Sequence, residues 1–399
     1  MLHYQYLIIG GGMAADAAVR GIRELDANGS IALISMEPDP PYNRPPLSKG
    51  LWKGKSLESI WHTPDSRGVE LFLGHTARAL DPRNKRITDE QEKIYTFDKL
   101  LLATGGTVRR LPFGEGHIIY YRTAQDYRRL RVLAEQGQRF AVIGGGFIGS
   151  EIAAALAMNG KQVLMIFPDE TLGARVYPRD LGLFLNDFYR QKGIEVLAEQ
   201  TVTGIDRHGK QFAVRVKGVK QPDERQVLVD GVVAGIGIQP NVELAQTAGL
   251  QVENGIVVDE FLCTSHPDIY AAGDVAAFYN PALGKRIRVE HKDNANTMGR
   301  QAGRIMAGAP ESYHHLPFFY SDLFDLGYEA VGELDSRHEI VADWIEPNKK
   351  GVVYYLQSGR VRGVLLWNVW NQVDAARKLI AEPGPFRAED LKGRLPETH

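Results

Sequence analysis

Hydrophobic and polar positions along the chain fall twice into one pattern, YLIIGGGMAADAAV from Tyr6 and FAVIGGGFIGSEIAAAL from Phe140. Each is a short apolar run, a glycine cluster and an Ala-rich segment of helical period. This predicts the strand, tight turn and helix of a dinucleotide-binding unit. Gly10, Gly12 and Ala15 match G-x-G-x-x-A, and Gly144, Gly146 and Gly149 match G-x-G-x-x-G. In such a loop the first glycine makes the turn, the second lets backbone amides approach a pyrophosphate, and the small third residue lets helix pack on strand. Two units imply two nucleotide sites.

Further apolar runs fill in the architecture. SIALISM ends at Glu37, at the spacing where a carboxylate receives ribose hydroxyls; a solvated strand-end acid is the alternative. After the second loop QVLMIF ends at Phe167, so that Asp169 arrives two positions late. FDKLLLATGG (97–106) and LVDGVVAGIGIQPN (228–241) each predict a strand breaking into a glycine turn. IYAAGDVAAF (269–278) predicts a strand ending at Asp274, with a helix N-terminus following to face a phosphate. From Tyr313 the texture changes. EIVADWIE, GVVYYLQ and RVRGVLLW predict antiparallel strands, with a hairpin at Ser358-Gly359, then an amphipathic helix in NQVDAARKLIAE and a loosely held polar tail from Pro383 to His399. The fold class expected is α/β with two Rossmann-like domains, followed by a C-terminal α+β domain built on an antiparallel sheet.

Composition narrows the function. Forty-seven Lys and Arg against 49 Asp and Glu leave a net charge of −2, which gives no bulk attraction to nucleic acid or to an anionic membrane. No apolar run approaches the ~18 residues of a spanning helix, and the first strand starts with no targeting segment before it; a cytoplasmic protein is expected. The single cysteine, Cys263, allows no internal disulfide and no C-x-x-C pair, so electrons handled here pass through a bound cofactor. Cys263 itself reads as an inert, buried or half-buried thiol. His291, His314 and His315 show no ligand spacing, and no metal site is expected. Trp344, Tyr354, Tyr355, Trp367 and Trp370 sit at strand spacing and read as core or as a subunit contact.

The motifs PYNRPPLSK (41–49), the two glycine loops, ATGG, GIGIQPN, AAGD and VEHKDNA (289–295), in this order, resemble the FAD-dependent NAD(P)H ferredoxin reductases of the glutathione-reductase-like fold. FPDE, SDLFDLGYEAVGELDS (321–336) and GVLLWNVWNQVDAARKLI (363–380) resemble the apoptosis-inducing-factor-like members of that family. The resemblance implies an FAD-binding domain in two parts, 1–113 and 242–312, an NAD(H)-binding domain at 114–241 and a C-terminal interface domain at 313–399. It implies FAD contacts from Gly10, Gly11, Gly12, Met13, Ala14, Glu37, Arg44, Lys49, the backbone near Ala77, Arg122 and Asp274. NADH contacts are implied for Gly145, Gly146, Phe147 and Ile148, for Asp169 and Arg175 at the adenosine end, and for Gly237, Glu290, His291, Glu329 and Asn368 near the nicotinamide. Tyr320 stands where apoptosis-inducing-factor-like proteins carry a tryptophan and Lys292 where they carry a second histidine, which reduces stacking area and adds a positive charge. The family's activity implies NADH oxidation through FAD, followed by transfer to a small electron-transfer protein or quinone. A slow redox sensor whose homodimer responds to NADH is the alternative.

Phe147 follows the glycine turn directly, so its ring should project toward the crevice, to cover the flavin and stack on nicotinamide; a packing plug is the other reading. Glu151 lies one helical turn on and points the same way. With Lys49, the partner that the resemblance supplies, it would place an ammonium where charge grows on a reducing flavin; a plain surface Glu is the alternative. The catalytic set expected is Lys49, Glu151, Phe147 and His291. Asp169 would repel a 2′-phosphate whereas Arg175 would attract one, and NADH is favoured over NADPH.

Overall fold

The computed structural model describes residues 1–63, 65–220 and 223–395, and the chain divides into two compact units. The first comprises Met1–Arg44, Ser56–Thr107 and Gln239–Phe318. Its central sheet has the strand order Val69–Leu73, Ile31–Ser35, Leu2–Ile9, Ile94–Leu102, Arg86–Asp89, Ala77–Asp81, with Ile269–Ala271 also pairing to Ile94–Leu102. The strands flanking Leu2–Ile9 run parallel to it, and the excursion through Ala77–Asp81 and Arg86–Asp89 is antiparallel. Ile31–Ser35 is buried along its whole length, as expected of a parallel strand covered on both faces. The glycine-loop helix Met13–Arg23 packs on a second helix, Lys292–Met306. Their backbones approach so closely that a Cβ at Gly299 or Gly303 would overlap the carbonyls of Ala14 or Ala18.

The second unit comprises Pro45–Lys55, Val108–Ile238 and Phe319–His399. It holds an all-parallel sheet in the order Ile194–Leu197, Gln162–Ile166, Arg139–Ile143, Gly231–Ala234, Ile118–Tyr120. An antiparallel meander, Gln200–His208, Gln211–Gly218 and Glu224–Val229, is a second layer, and its apolar positions join the same core. A five-stranded sheet orders Phe318–Leu323, Leu326–Gly332, Arg360–Trp367, Lys350–Gln357, Glu339–Glu346. The expected hairpin at Ser358-Gly359 is present, both residues having positive φ, and Tyr354, Tyr355 and Trp367 form the core of this sheet. The helix expected after it spans Val373–Ala381.

Three expectations are corrected. The run 228–241 is not one strand: it breaks at Asp230, whose carboxylate accepts from the Gln138 and Arg139 amides and from Gln211 Nε2, separating the meander from the parallel sheet. No helix follows Asp274 directly. A single 3₁₀ turn, Gly273–Val275, leads into the strand Ala276–Asn280, because Ala276, Ala277 and Phe278 are buried and the strand pairs with Gly255–Val257 and Lys285–Ile287. The tail is not loose through residue 395: Leu391 and Leu395 are buried, and the Gly393 amide donates to Asp343 Oδ2 at 2.7 Å; residues 396–399 lie outside the described residues. Among the described residues no helix is long and apolar enough to cross a membrane.

Candidate functional site

The two glycine loops have the same backbone. The N-cap residues, Gly12 and Gly146, have φ/ψ of −91°/−172° and −88°/−170°. Gly10 and Gly144 have φ of +123° and +113°, and their Cα atoms press on the carbonyls of Ala103 and Gly235, so no side chain fits at either position. A Cβ at Gly12 or Gly146 would meet nothing within 4 Å. Each loop therefore presents the first turn of a helix, with its unserved amides and partial positive charge, to open space. That cradle fits a dinucleotide pyrophosphate, and there are two of them.

In the first unit the strand Ile31–Ser35 leads to Glu37. Its carboxylate takes a hydrogen bond from Tyr42 Oη at 2.6 Å and an ion pair from Arg44 Nη2, and Arg44 Nη1 donates to Tyr42 Oη at 2.8 Å. Burial alone would lower the Arg44 pKa, but Tyr42, Glu37 and Asp274 together hold it above the ordinary arginine value. Glu37, Arg44 and Asp274 thus gather near the loop of Gly10, Gly11, Gly12, Met13 and Ala14. Asp274 sits in the Gly273–Val275 turn, where Gly273 lies against Ala14. Ala77 opens its strand at a bulge in the pairing with Arg86–Asp89. His291 caps the helix Lys292–Met306, and burial, opposed by Asp274 and Asp293, lowers its pKa to about 4, so its ring is neutral at physiological pH. Glu290 is exposed and paired with Arg288 at 2.7 Å; Lys292 is half-buried.

In the second unit the expected pair is formed. Lys49 Nζ lies 2.5 Å from Glu151 Oε1, and Glu151, at 4% exposure, is no surface residue. Two serines complete the carboxylate: Ser321 Oγ donates to Oε1 and Ser48 Oγ to Oε2, each at 2.5 Å. The ammonium also lies 5.5 Å from the centroid of the Tyr320 ring. Phe147, the first residue of the helix Phe147–Met158, is half-buried with its ring 5.2 Å from that of Phe319, so it is neither core nor fully projecting. Ile148 and Gly237 are exposed, Gly145 is pressed against Phe167, and Arg122 precedes the capping box of Ala124–Gln136. Asp169 and Arg175 are exposed; the Asp169 and Arg175 carbonyls accept from the Glu199 and Ser336 amides. Glu329 has its carboxyl pKa raised by burial. Asn368 is spent on structure, its amide bridging the Gly327 amide and the Lys349 carbonyl at 2.8 Å each.

Sequence reasoning missed four participants. Ser48 and Ser321 lie inside PPLSK and SDLFDL, where only the lysine and the pattern were read. Asp16 is 1% exposed and held by His62 Nδ1 at 2.7 Å and by Arg20 and Arg67 at 3.2 Å. Its signal was a carboxylate on the apolar face of an Ala-rich helix. Tyr42 is buried between Glu37 and Arg44. Cys263 is half-buried, its thiol pushed up to about 11 by burial. Among the described residues one group, His75, Asp89 and Glu90, is tight enough to hold a metal, but Asp89 already accepts from His75, Tyr95 and two amides. His315 is bound to Asp293 at 2.5 Å.

Comparison with known proteins agrees with this geometry. Residues 4–301 match the family model for pyridine nucleotide-disulphide oxidoreductases, and residues 345–382 match that for the C-terminal domain of mitochondrion-associated apoptosis-inducing factor. The chain is 37% identical over 370 residues to the 5,5′-dehydrodivanillate O-demethylase ferredoxin reductase subunit of a Sphingobium species, covering 90% of this chain and 89% of that one. It is 32% identical over 419 residues to apoptosis-inducing factor 1 of Dictyostelium discoideum, covering 94% and 78%. The putidaredoxin reductase of a covalent complex with putidaredoxin superimposes with a TM-score of 0.88 at 30% identity, covering 96% of this chain and 94% of that one. The chain belongs to the pyridine nucleotide-disulphide oxidoreductase family, as a FAD-dependent NAD(P)H oxidoreductase.

Proposed function

We propose that this protein oxidises NADH and delivers the electrons to a small electron-transfer protein. The observation that carries the reading is the pair of matching glycine cradles, one in a unit with Glu37, Arg44 and Asp274, the other at the start of the helix that carries Glu151, to which Lys49 is paired from a separate stretch of chain. FAD, when bound, accepts a hydride at N5 and passes electrons on singly. The first unit would hold it, with the Gly10–Ala14 loop on the pyrophosphate, Glu37 and Arg44 at the adenosine end and Asp274 at the ribityl chain; residues 1–113 and 242–312 form its binding domain. Residues 114–241 hold NADH, and 313–399 form an interface domain. Lys49, already oriented by Glu151, would supply a fixed positive charge for the step at no cost in reorganisation. Phe147 shields the reaction from water and yields to the nicotinamide. His291, neutral above about pH 4, adds a dipole without a competing charge.

Relatives named as ferredoxin reductases support a ferredoxin-like acceptor, and the putidaredoxin complex supports one of similar size. Asp169 at the adenosine ribose favours NADH over NADPH. A cytoplasmic site of action and a homodimer belong to the same reading. The match to the apoptosis-inducing-factor C-terminal domain favours one second reading, a slow redox sensor that dimerises with NADH. Stopped-flow reduction by NADH, followed by reoxidation in air and with a ferredoxin, separates them. Fast turnover with the ferredoxin supports the reductase; a long-wavelength band stable for minutes in air, with dimerisation in light scattering, supports the sensor and overturns it.

A further inference from the structure

Glu151 is held by more than its lysine. Two dipeptides grip the Lys49–Glu151 pair from separate stretches of chain. Ser48-Lys49 closes the 3₁₀ turn Pro45–Ser48 and supplies the ammonium on one carboxylate oxygen and a hydroxyl on the other. Tyr320-Ser321, on the strand Phe318–Leu323, supplies a ring beside the ammonium and a hydroxyl on the oxygen that the ammonium shares. Ser48 is 6% and Ser321 2% exposed, so neither is placed to trade its bond for water. The phenols of Tyr177, Tyr189 and Tyr328 are buried in the same unit, and burial above all, with a smaller push from the Glu151 charge, keeps them protonated.

An ion pair this deep is held in one geometry only when the remaining acceptor positions are filled. With Lys49 alone, Oε2 would be a buried acceptor without a donor, and the carboxylate could satisfy it only by turning and dragging the ammonium with it. We infer that Ser48 and Ser321 are positioning residues for hydride transfer: by filling both oxygens of Glu151 they fix where the Lys49 ammonium stands. This deepens the reading given above and rests on it for its consequence, though not for its geometry.

The test compares Ser48→Ala, Ser321→Ala and the double variant with the wild type in three measurements. The first is acylation of Lys49 by a small amine-reactive ester in the apoprotein, read by mass spectrometry against pH. The others are the midpoint potential of bound FAD and the single-turnover rate of its reduction by NADH. The double variant is expected to show Lys49 acylated about tenfold faster, the scale of one hydrogen bond to a charged group. Its FAD potential is expected to be more negative and its reduction about tenfold slower at unchanged FAD content, with each single variant between. Ser48→Thr and Ser321→Thr, which keep the hydroxyl, are expected to stay near the wild type. Unchanged Lys49 acylation and FAD potential in the double variant would overturn the inference. Should the double variant fail to retain FAD, the single variants decide by the same two readouts. If wild-type protein is not reduced by NADH at all, the reductase reading fails while the acylation comparison still judges the serines.

Discussion

The helices after the two glycine loops each bury one carboxylate, and the two are held in opposite ways. Asp16 lies in the first turn of Met13–Arg23 and is gripped by His62, Arg67 and Arg20. Two of those cations come from the segment beyond Trp61, whose ring packs edge-on to Tyr42 at 5.4 Å, so Asp16 fastens the chain that also positions Tyr42, Arg44 and Glu37. Glu151 lies one residue further into its own helix and is bound by one ammonium and two neutral hydroxyls. Surplus cation makes the first carboxylate a structural latch. A single cation, oriented by neutral donors, would make the second, in the proposed function, a mount for the lysine. In the proposed function the same supersecondary unit would serve as a binding cradle in one copy and a catalytic mount in the other, by moving one acid a single position and changing its partners.

The contrast is broken most severely at Lys49. Lys49→Met is expected to slow NADH reduction of bound FAD by two to three powers of ten, about what one preorganised charge stabiliser contributes; stopped flow measures it. Asp16→Asn is expected to cost about 2 kcal/mol, since it removes the buried charge that the partly exposed Arg20, Arg67 and His62 side chains bind. Denaturant unfolding measures that loss, and the reduction rate per bound FAD should not change. Phe147→Ala is expected to shift the NADH reduction rate and the lifetime of the reduced complex about tenfold, the worth of one aromatic contact. If neither moves, Phe147 is only packing against Phe319.

The smallest effect is acid sensitivity, and it belongs to the first unit. The Asp16 pKa is lowered: burial would raise it, but the hydrogen bond and charge of His62, with Arg20 and Arg67, outweigh burial. Its contribution is therefore present above the ordinary Asp value and is lost as pH falls through the lower folded value. His291, lowered to about 4, refuses in the folded state a proton that the unfolded chain takes up below about 6.5, so stability also falls with pH across that window. Thermal unfolding from pH 7 to about pH 2 should show a Tm that declines, and Asp16→Asn should flatten the part of the decline below about pH 4.

The repeat was legible because glycine turns between an apolar run and an Ala-rich segment allow few alternatives. The Ser358-Gly359 hairpin was legible because its flanking strands alternate. The meander at 200–229 went unread. Its outward positions are charged and its inward set is short, so that QFAVRVKG alone carries the alternation. The break at Asp230 was invisible in an apolar run because its cause is a side chain binding amides elsewhere in the sequence. Likewise Lys49 came from the family likeness and Glu151 from its position after the glycines. Ser48 and Ser321 could not be read, because a serine in a turn or strand is ordinary until the fold brings it to a buried acid.

The most direct measurement is stopped-flow reduction of bound FAD by NADH in Glu151→Gln and Asp16→Asn, side by side with the wild type. The expected result is a loss of about a hundredfold in Glu151→Gln and an unchanged rate in FAD-loaded Asp16→Asn. Equal rates in all three proteins, or a loss confined to Asp16→Asn, would contradict the assignment of the reactive mount to the second loop.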